Sequence, residues 1–289
     1  MIVDRLVAED LEAFAVFAAH RNYTHAAAEL HVSQPALHAR IRKLEQTIGR
    51  PLVVKQGRNL LLTTTGERLA AFANDTRARA ADFLSTLDDV PPRPLTLAAG
   101  AGAYLYLLGE AVRRYLDQAP GGLHLITADA EATLDGLRDG TADVGVTALG
   151  IPPDDLAHEL LCQLPQVLAM RPDHRLAGRR TVRLKDLEGE ALVVPPLSRP
   201  HRQSLERNLL DAGIDWSVAV EAQGWQLQLH FVELGVGPAV VNGSVRTPRP
   251  LVTARVTDLP PVRYYVLTRR QQSDKRVDIL KGLLTRLTQ

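Results

Sequence analysis

Prolines at positions 91, 92 and 94 divide this chain into two stretches whose apolar residues repeat with different periods, and no other feature constrains the fold as much. Before the prolines the repeat is helical. After them, short apolar runs alternate with helical stretches, the pattern of a mainly parallel sheet covered by helices. The chain is therefore read as α/β overall with a helical N-terminal part. Its 289 residues suffice for two or three domains.

In the N-terminal stretch Leu11, Phe14, Ala15 and Ala18 recur at helical spacing, after acids Glu9, Asp10 and Glu12 that suit the positive end of a helix dipole. Thr24 is read as the N-cap of a second, short helix through Ala26, Ala27, Ala28 and Leu30, whose small residues let a neighbour cross closely. Val32 turns the chain. Ser33 then caps a third helix with Pro35 in its first turn, and Leu37, Ile41, Leu44 and Ile48 form a buried stripe up to Gly49. Gln34, His38, Arg40, Arg42 and Lys43 occupy its other faces. Two helices joined by a tight turn, the second polar outside, make a helix-turn-helix. Strands over 53–56 and 60–63, joined through Gly57, Arg58 and Asn59, add a wing with Arg58 at its tip and Lys55 beside it.

A net charge of +1 argues against a protein that coats nucleic acid. The average hides a local excess: Arg40, Arg42, Lys43, Arg50, Lys55 and Arg58 face only Glu45 between His38 and Arg58. That segment is either a DNA-facing footprint or a solvated basic surface. The candidate DNA-contacting set is Thr24, Ser33, Gln34, Pro35, His38, Arg40, Arg42, Lys43, Lys55 and Arg58.

From 65 to 89 there is no proline and one glycine, and Leu69, Phe72, Thr76, Ala80, Phe83 and Leu87 run along one side. A long helix with so narrow an apolar seam packs on a second copy or on its own chain. Pro91, Pro92 and Pro94 then form a stiff hinge. Beyond them come apolar or helical runs at 95–99, 105–116, 123–127, 133–139 and 143–148, a second set from Glu159 to a strand at 262–268, and a closing helix at 273–287. Gly100 and Gly102 follow a strand, but the third glycine of a dinucleotide fingerprint is replaced by Leu105. The turn Gly100, Ala101, Gly102, Ala103 is either a tight strand-to-helix connection or a set of free backbone N–H groups holding a small polar or anionic effector.

Other classes are excluded by what is missing. Acids at 4, 9, 10 and 12 break up an export signal, no apolar run reaches bilayer length, and the chain reads as cytoplasmic with no membrane partner. Cys162 stands alone, which removes an intrachain disulfide and a cysteine-rich zinc site. His20, His25, His31 and His38 lack metal-ligand spacing, and GxSxG, HExxH and P-loop motifs are absent, so neither enzyme, metal nor cofactor is expected.

The run Leu11, Phe14, Ala27, Ala28, Leu30, Ser33, Gln34, Pro35, Ala36, Leu37, Ile41, Leu44, Glu45, Gly49, Leu52, Leu62, Thr63 and Gly66 resembles the LysR-type DNA-binding domain in order and spacing. Departures at His38, where serine is common, and at Val53 and Lys55, where phenylalanine and arginine are usual, bear on operator sequence. Leu137, Gly140, Asp143 and Val144, with Val232, Gly235, Gly237 and Val240, resemble the family's two-lobed effector-binding domain, similar in fold to periplasmic solute-binding proteins. Pro238 and Asn242 depart from it. The resemblance implies a transcriptional regulator: a winged helix-turn-helix at 1–64, a linker helix at 65–90 and an effector-binding domain at 91–289. Lobe I would take 91–150 and 268–289, and lobe II 151–267.

It further implies dimerisation through Leu69, Phe72, Thr76, Ala80, Phe83 and Leu87, a homodimer or dimer of dimers, and an operator that is an imperfect inverted repeat in double-stranded DNA. RNA polymerase would be a further partner. Ser198, Arg199 and His201, in a loop after a strand at 191–195, and Trp225 at a helix start would face an effector. Gly100 to Ala103, Asp129 and Thr147 would complete that cleft at the strand ends. Arg199 would be its anion partner, whereas Asp129 and Glu131 disfavour a simple carboxylate unless they point to solvent. A ligand-independent regulator and a solute-binding module without DNA are the competing readings.

Overall fold

The structure is a computed structural model that describes residues 7–57, 59–87, 92–119, 121–270 and 274–287. Three helices, α1 (Ala8–His20), α2 (Tyr23–Glu29) and α3 (Gln34–Ile48), pack around Phe14, Phe17, Leu37, Ile41 and Leu44. Ser33 caps α3 by accepting the Ala36 N–H at 3.3 Å, and Gly49 ends it at φ +73°. The cap of α2 is corrected: Asn22, not Thr24, accepts the N–H groups of Thr24 and His25, at 2.9 and 3.3 Å. Both residue types can cap, and the extended backbone at Asn22 decides the position.

Strands β1 (Val53–Gln56) and β2 (Asn59–Leu62) form the wing, antiparallel with Val53 opposite Leu62. Glu45 ties it to α3 by accepting the N–H groups of Leu52 and Val53 at 2.8 and 3.3 Å. The wing returns into α4 (Thr64–Leu87) at Gly66, where a Cβ would lie 2.2 Å from the Leu52 carbonyl oxygen. Only glycine fits that approach.

The apolar seam of α4 divides. Leu69, with Ala70 and Ala73, is buried in the core of α1 to α3, which corrects its assignment to a dimer seam. The first turns of α4 cross α1, so their apolar side chains are covered by their own chain. Phe72, Thr76, Ala80 and Phe83 are exposed, and the side chain of Leu87 lies outside the described residues. Pro91 and Arg58 lie outside them too.

Beyond the hinge are two lobes. In lobe I, β3 (Leu95–Ala99) pairs in parallel with β4 (Leu123–Thr127) and β5 (Val144–Ala148). Two further strands complete its sheet in antiparallel pairing, β6 (Leu156–Leu164) and β13 (Val262–Arg269), giving the order β4-β3-β5-β13-β6. Helix α5 (Ala101–Ala103) runs through a π turn at Tyr104–Leu108 into α6 (Gly109–Gln118), so the helix expected over 105–116 is broken. Helices α7 (Ala130–Asp139) and α10 (Lys275–Leu287) complete the lobe.

Lobe II holds β7 (Gln166–Met170), β8 (Thr181–Val182), β11 (Ala239–Asn242) and β12 (Val252–Val256) in the order β11-β7-β12-β8. Beside them lie the parallel pair β9 (Ala191–Val194) and β10 (Ser217–Glu221), with helices α8 (Pro200–Asp211) and α9 (Trp225–Glu233). This lobe is mixed, because β7 runs antiparallel to both neighbours. The lobe boundaries expected at 150 and 268 are corrected. Residues 156–164 and 262–269 pair along their whole length inside lobe I, so the chain crosses at Pro165 and returns after Val256. Their apolar patterns suit either sheet, and pairing alone decides.

Candidate nucleic-acid interface and interlobe cleft

Helix α3 sorts its polar residues onto two faces. Gln34, His38 and Arg42, spaced four apart, are exposed together with Ser33 and Pro35. The Thr24 hydroxyl faces Gln34 Oε1 at 3.4 Å, and the His38 ring lies 5.0 Å from that of Tyr23. Tyr23 in turn stacks on Phe17 at 4.4 Å, and burial pushes its hydroxyl above the ordinary range, with Glu45 adding to the effect. Arg40 and Lys43 are turned the other way. Lys43 Nζ bonds the buried Asp10 at 2.7 Å, and Arg40 reaches the Glu9 carbonyl at 3.5 Å and its carboxylate at 3.6 Å. The expected cation set is therefore split by the acids of α1. Lys55 is exposed on the wing.

Between the lobes lies a cavity of about 980 Å³ at the C-terminal ends of β3, β4 and β5. Of the expected residues Gly100, Ala101, Gly102, Ala103, Asp129, Thr147, Arg199, His201 and Trp225 line it. Ser198 does not. It is exposed in a turn closed by the Arg199 N–H on the Pro196 carbonyl at 2.9 Å, and the chain lines the cleft on either side of that turn, at Pro195 and again from Arg199. Glu131 is exposed and outside the lining.

His201 is corrected from loop to the first turn of α8. Its Nε2 donates to the Val240 carbonyl at 2.9 Å, and its ring meets Trp225 edge-on at 4.8 Å. Burial holds the imidazole below its usual range, outweighing that carbonyl. The indole crosses to lobe I, where a Cβ on Gly102 would lie 3.0 Å from Trp225 Cδ1. The glycine turn itself is tight, since the N–H groups of Ala103 and Tyr104 both return to the Gly100 carbonyl. Asp129 caps α7 through the Ala132 N–H at 3.1 Å and faces Arg199 Nη1 across the cleft at 3.4 Å.

Several lining residues have no sequence signal. Leu105 and Tyr106 reach the cleft through the π turn, a local widening that often marks functional positions. Gln228 is buried: its Nε2 donates to the Ala222 carbonyl at 3.0 Å, while its Oε1 has no partner among the described residues. Tyr264 accepts from Asn242 Nδ2 at 3.0 Å, which joins the lobes, and burial pushes its hydroxyl up to about 12. The sequence departure at Asn242 thus has a structural use.

A polar seam also joins α4 to lobe I. Arg269 Nη2 donates to Asp75 at 3.0 Å, and its Nη1 donates to the carbonyls of Ala142 and Leu137 at 2.7 and 3.2 Å. Asn74 Nδ2 donates to the Asp139 carbonyl, and Arg21 reaches Asp135 at 3.4 Å. Asp143 receives both Arg93 Nη groups at 2.8 and 2.9 Å and the Thr96 N–H at 2.8 Å. Burial alone would raise that carboxyl; Arg93, the Thr96 N–H and Arg269 outweigh it and hold it below its ordinary range.

A winged helix-turn-helix with an exposed polar recognition helix, joined to two α/β lobes around a ligand-sized cleft, defines a DNA-binding regulator with an effector-binding domain. Residues 8–67 match the family described as bacterial regulatory helix-turn-helix protein, lysR family, and 88–287 match the LysR substrate binding domain. The chain belongs to the LysR family of transcriptional regulators, which is non-enzymatic. It is similar to the RuBisCO operon transcriptional regulator of Allochromatium vinosum, 28% identical over 273 residues, covering 90% of this chain and 89% of that protein. It is 27% identical over 255 residues to the hydrogen peroxide-inducible genes activator of Dickeya chrysanthemi, covering 87% and 83%. A solved full-length OxyR variant from Pseudomonas aeruginosa has the same fold, with TM-score 0.72, 21% identity and coverage of 96% and 94%. Among the described residues no helix is long and apolar enough to cross a membrane.

Proposed function

We propose that this regulator binds an imperfect inverted repeat as a homodimer in the cytoplasm, and that a small molecule in the interlobe cleft changes how its two DNA-binding domains sit on that site. The reading rests on a cleft lined from both lobes at the strand ends, with lobe I gripping the linker helix through Arg269 and Asp75. A ligand shifts such an arrangement only by binding its two states unequally. Gln34, Pro35, His38 and Arg42, with Ser33 and Thr24 beside them, are assigned to bases and nearby phosphates, and Lys55 and Arg58 to the backbone. Phe72, Thr76, Ala80 and Phe83 are assigned to the dimer, with pairing of dimers and RNA polymerase contact on the same family grounds. The working division is a DNA-binding domain up to the wing, the linker helix, then the sensor.

The peroxide-inducible relative suggests a redox signal, but Cys162 is the chain's one cysteine and cannot form an intrachain disulfide. Burial also raises its thiol, which lowers its reactivity. The test is footprinting of the purified chain on its own upstream region with a metabolite panel. A compound that alters footprint length supports the reading, and a footprint indifferent to every compound favours ligand-independent regulation. DNA binding itself should weaken steeply with salt.

A further inference from the structure

The walls of the cleft carry almost no free charge. Among the described lining residues Arg199 is the only arginine or lysine and Asp129 the only acid, and the two face each other at 3.4 Å. Asp129 is fixed on lobe I, because its other carboxylate oxygen caps α7 through the Ala132 N–H. A carboxylate ligand reaching for Arg199 would therefore meet a like charge that cannot swing away without uncapping a helix. The rest of the wall sets aromatic and apolar groups, chiefly Trp225, Tyr106 and Tyr264, beside polar ones at Thr127, Thr147, Gln226 and His230. Gln228 stands behind this wall, its Oε1 buried and without a hydrogen-bond partner among the described residues. The oxygen acceptors of Thr127, Thr147 and Gln226 are satisfied by an N–H or O–H on whatever fills the cleft and displaces its water.

We propose that the cleft takes an uncharged, flat, largely apolar molecule bearing a hydrogen-bond donor, and that Asp129 is the specificity residue that excludes carboxylates by holding Arg199. The proposal rests on reading the cleft as the effector site. It also gives Gly102 a purpose, since the absent side chain lets the indole of Trp225 lie flush against lobe I as a wall.

The experiment uses the full chain with Trp216→Phe, which leaves Trp225 as the sole tryptophan and reporter. Benzamide and benzoate, equal in size and different in charge, are titrated while Trp225 emission is followed. Benzamide should bind at least about tenfold more tightly than benzoate. Asp129→Asn keeps a capping oxygen and removes the charge; it should tighten benzoate about tenfold and leave benzamide within about twofold. Benzoate binding as well as benzamide in the Asp129 chain, or an unchanged ratio in Asp129→Asn, overturns the proposal. If neither probe alters Trp225 emission or the melting temperature of the unsubstituted chain at millimolar concentration, this proposal falls, while the effector-cleft reading is decided separately by the footprinting panel.

Discussion

Arg40 and Arg42 stand two positions apart on α3 and meet different surroundings. Arg42 is exposed beside Gln34 and His38, while Arg40 and Lys43 are drawn to Glu9 and Asp10. Arg42→Ala should relax base discrimination at one or two operator positions by ~1–3 kcal/mol, read by anisotropy on operator and single-base variants. Lys43→Ala should leave discrimination intact and lower stability by about 1 kcal/mol in urea, because the buried Asp10 loses its partner while the lysine itself is largely solvated. Equal loss on all sequences from Arg42→Ala would remove it from the reading face. His201 carries a pH dependence of definite sign. Its folded value lies below the ordinary 6.5, so the neutral ring stabilises the fold above that pH, and this contribution is lost as pH falls from 6.5 through the folded value. His201→Gln retains a donor for the Val240 carbonyl; its melting temperature should fall less than the parent's between pH 7.5 and 5.5.

At the scale of elements, α4 serves several surfaces within one helix. Leu69, Ala70 and Ala73 complete the DNA-binding core, Asn74 and Asp75 hold lobe I, and Phe72, Thr76, Ala80 and Phe83 are left to solvent. Phe83→Glu should break the dimer, since a paired seam would have to bury an uncompensated carboxylate at a cost of several kcal/mol. A mutant that still weighs as a dimer by light scattering would remove the seam from the interface. Leu69→Ala acts elsewhere: it should lower stability by ~2–5 kcal/mol through a cavity in the α1 to α3 core, and leave the dimer contact itself in place.

At the scale of the whole molecule, β13 runs between the two regions that matter. Tyr264 lines the cleft near its start, and Arg269 grips Asp75 of the linker helix at its end, roughly 17 Å away at the rise of an extended strand. Arg269→Gln should preserve operator affinity while weakening the effect of a cleft ligand on the footprint, and Asp75→Asn should do the same. A double-mutant cycle on ligand response checks that the two act as one contact, because independent losses would add.

What the sequence determined by itself is the order and type of the elements. The caps at Ser33 and Gly49, the stripe Leu37, Ile41 and Leu44, the wing, and the alternation past the prolines are set by neighbours a few residues apart, and their periods can be read along the chain. Even the cleft was legible in outline, since strand ends in an α/β lobe collect loops whose order is fixed. The tertiary structure decided the rest. It chose which sheet receives β6 and β13, which cations of α3 stay free, and that Leu69 serves its own domain. It also set Asp129 against Arg199 across 70 positions and Arg269 against Asp75 across 194. Contacts between residues so far apart have no period to leave in a sequence, because they arise only when independently formed elements pack and each buried charge must find a partner.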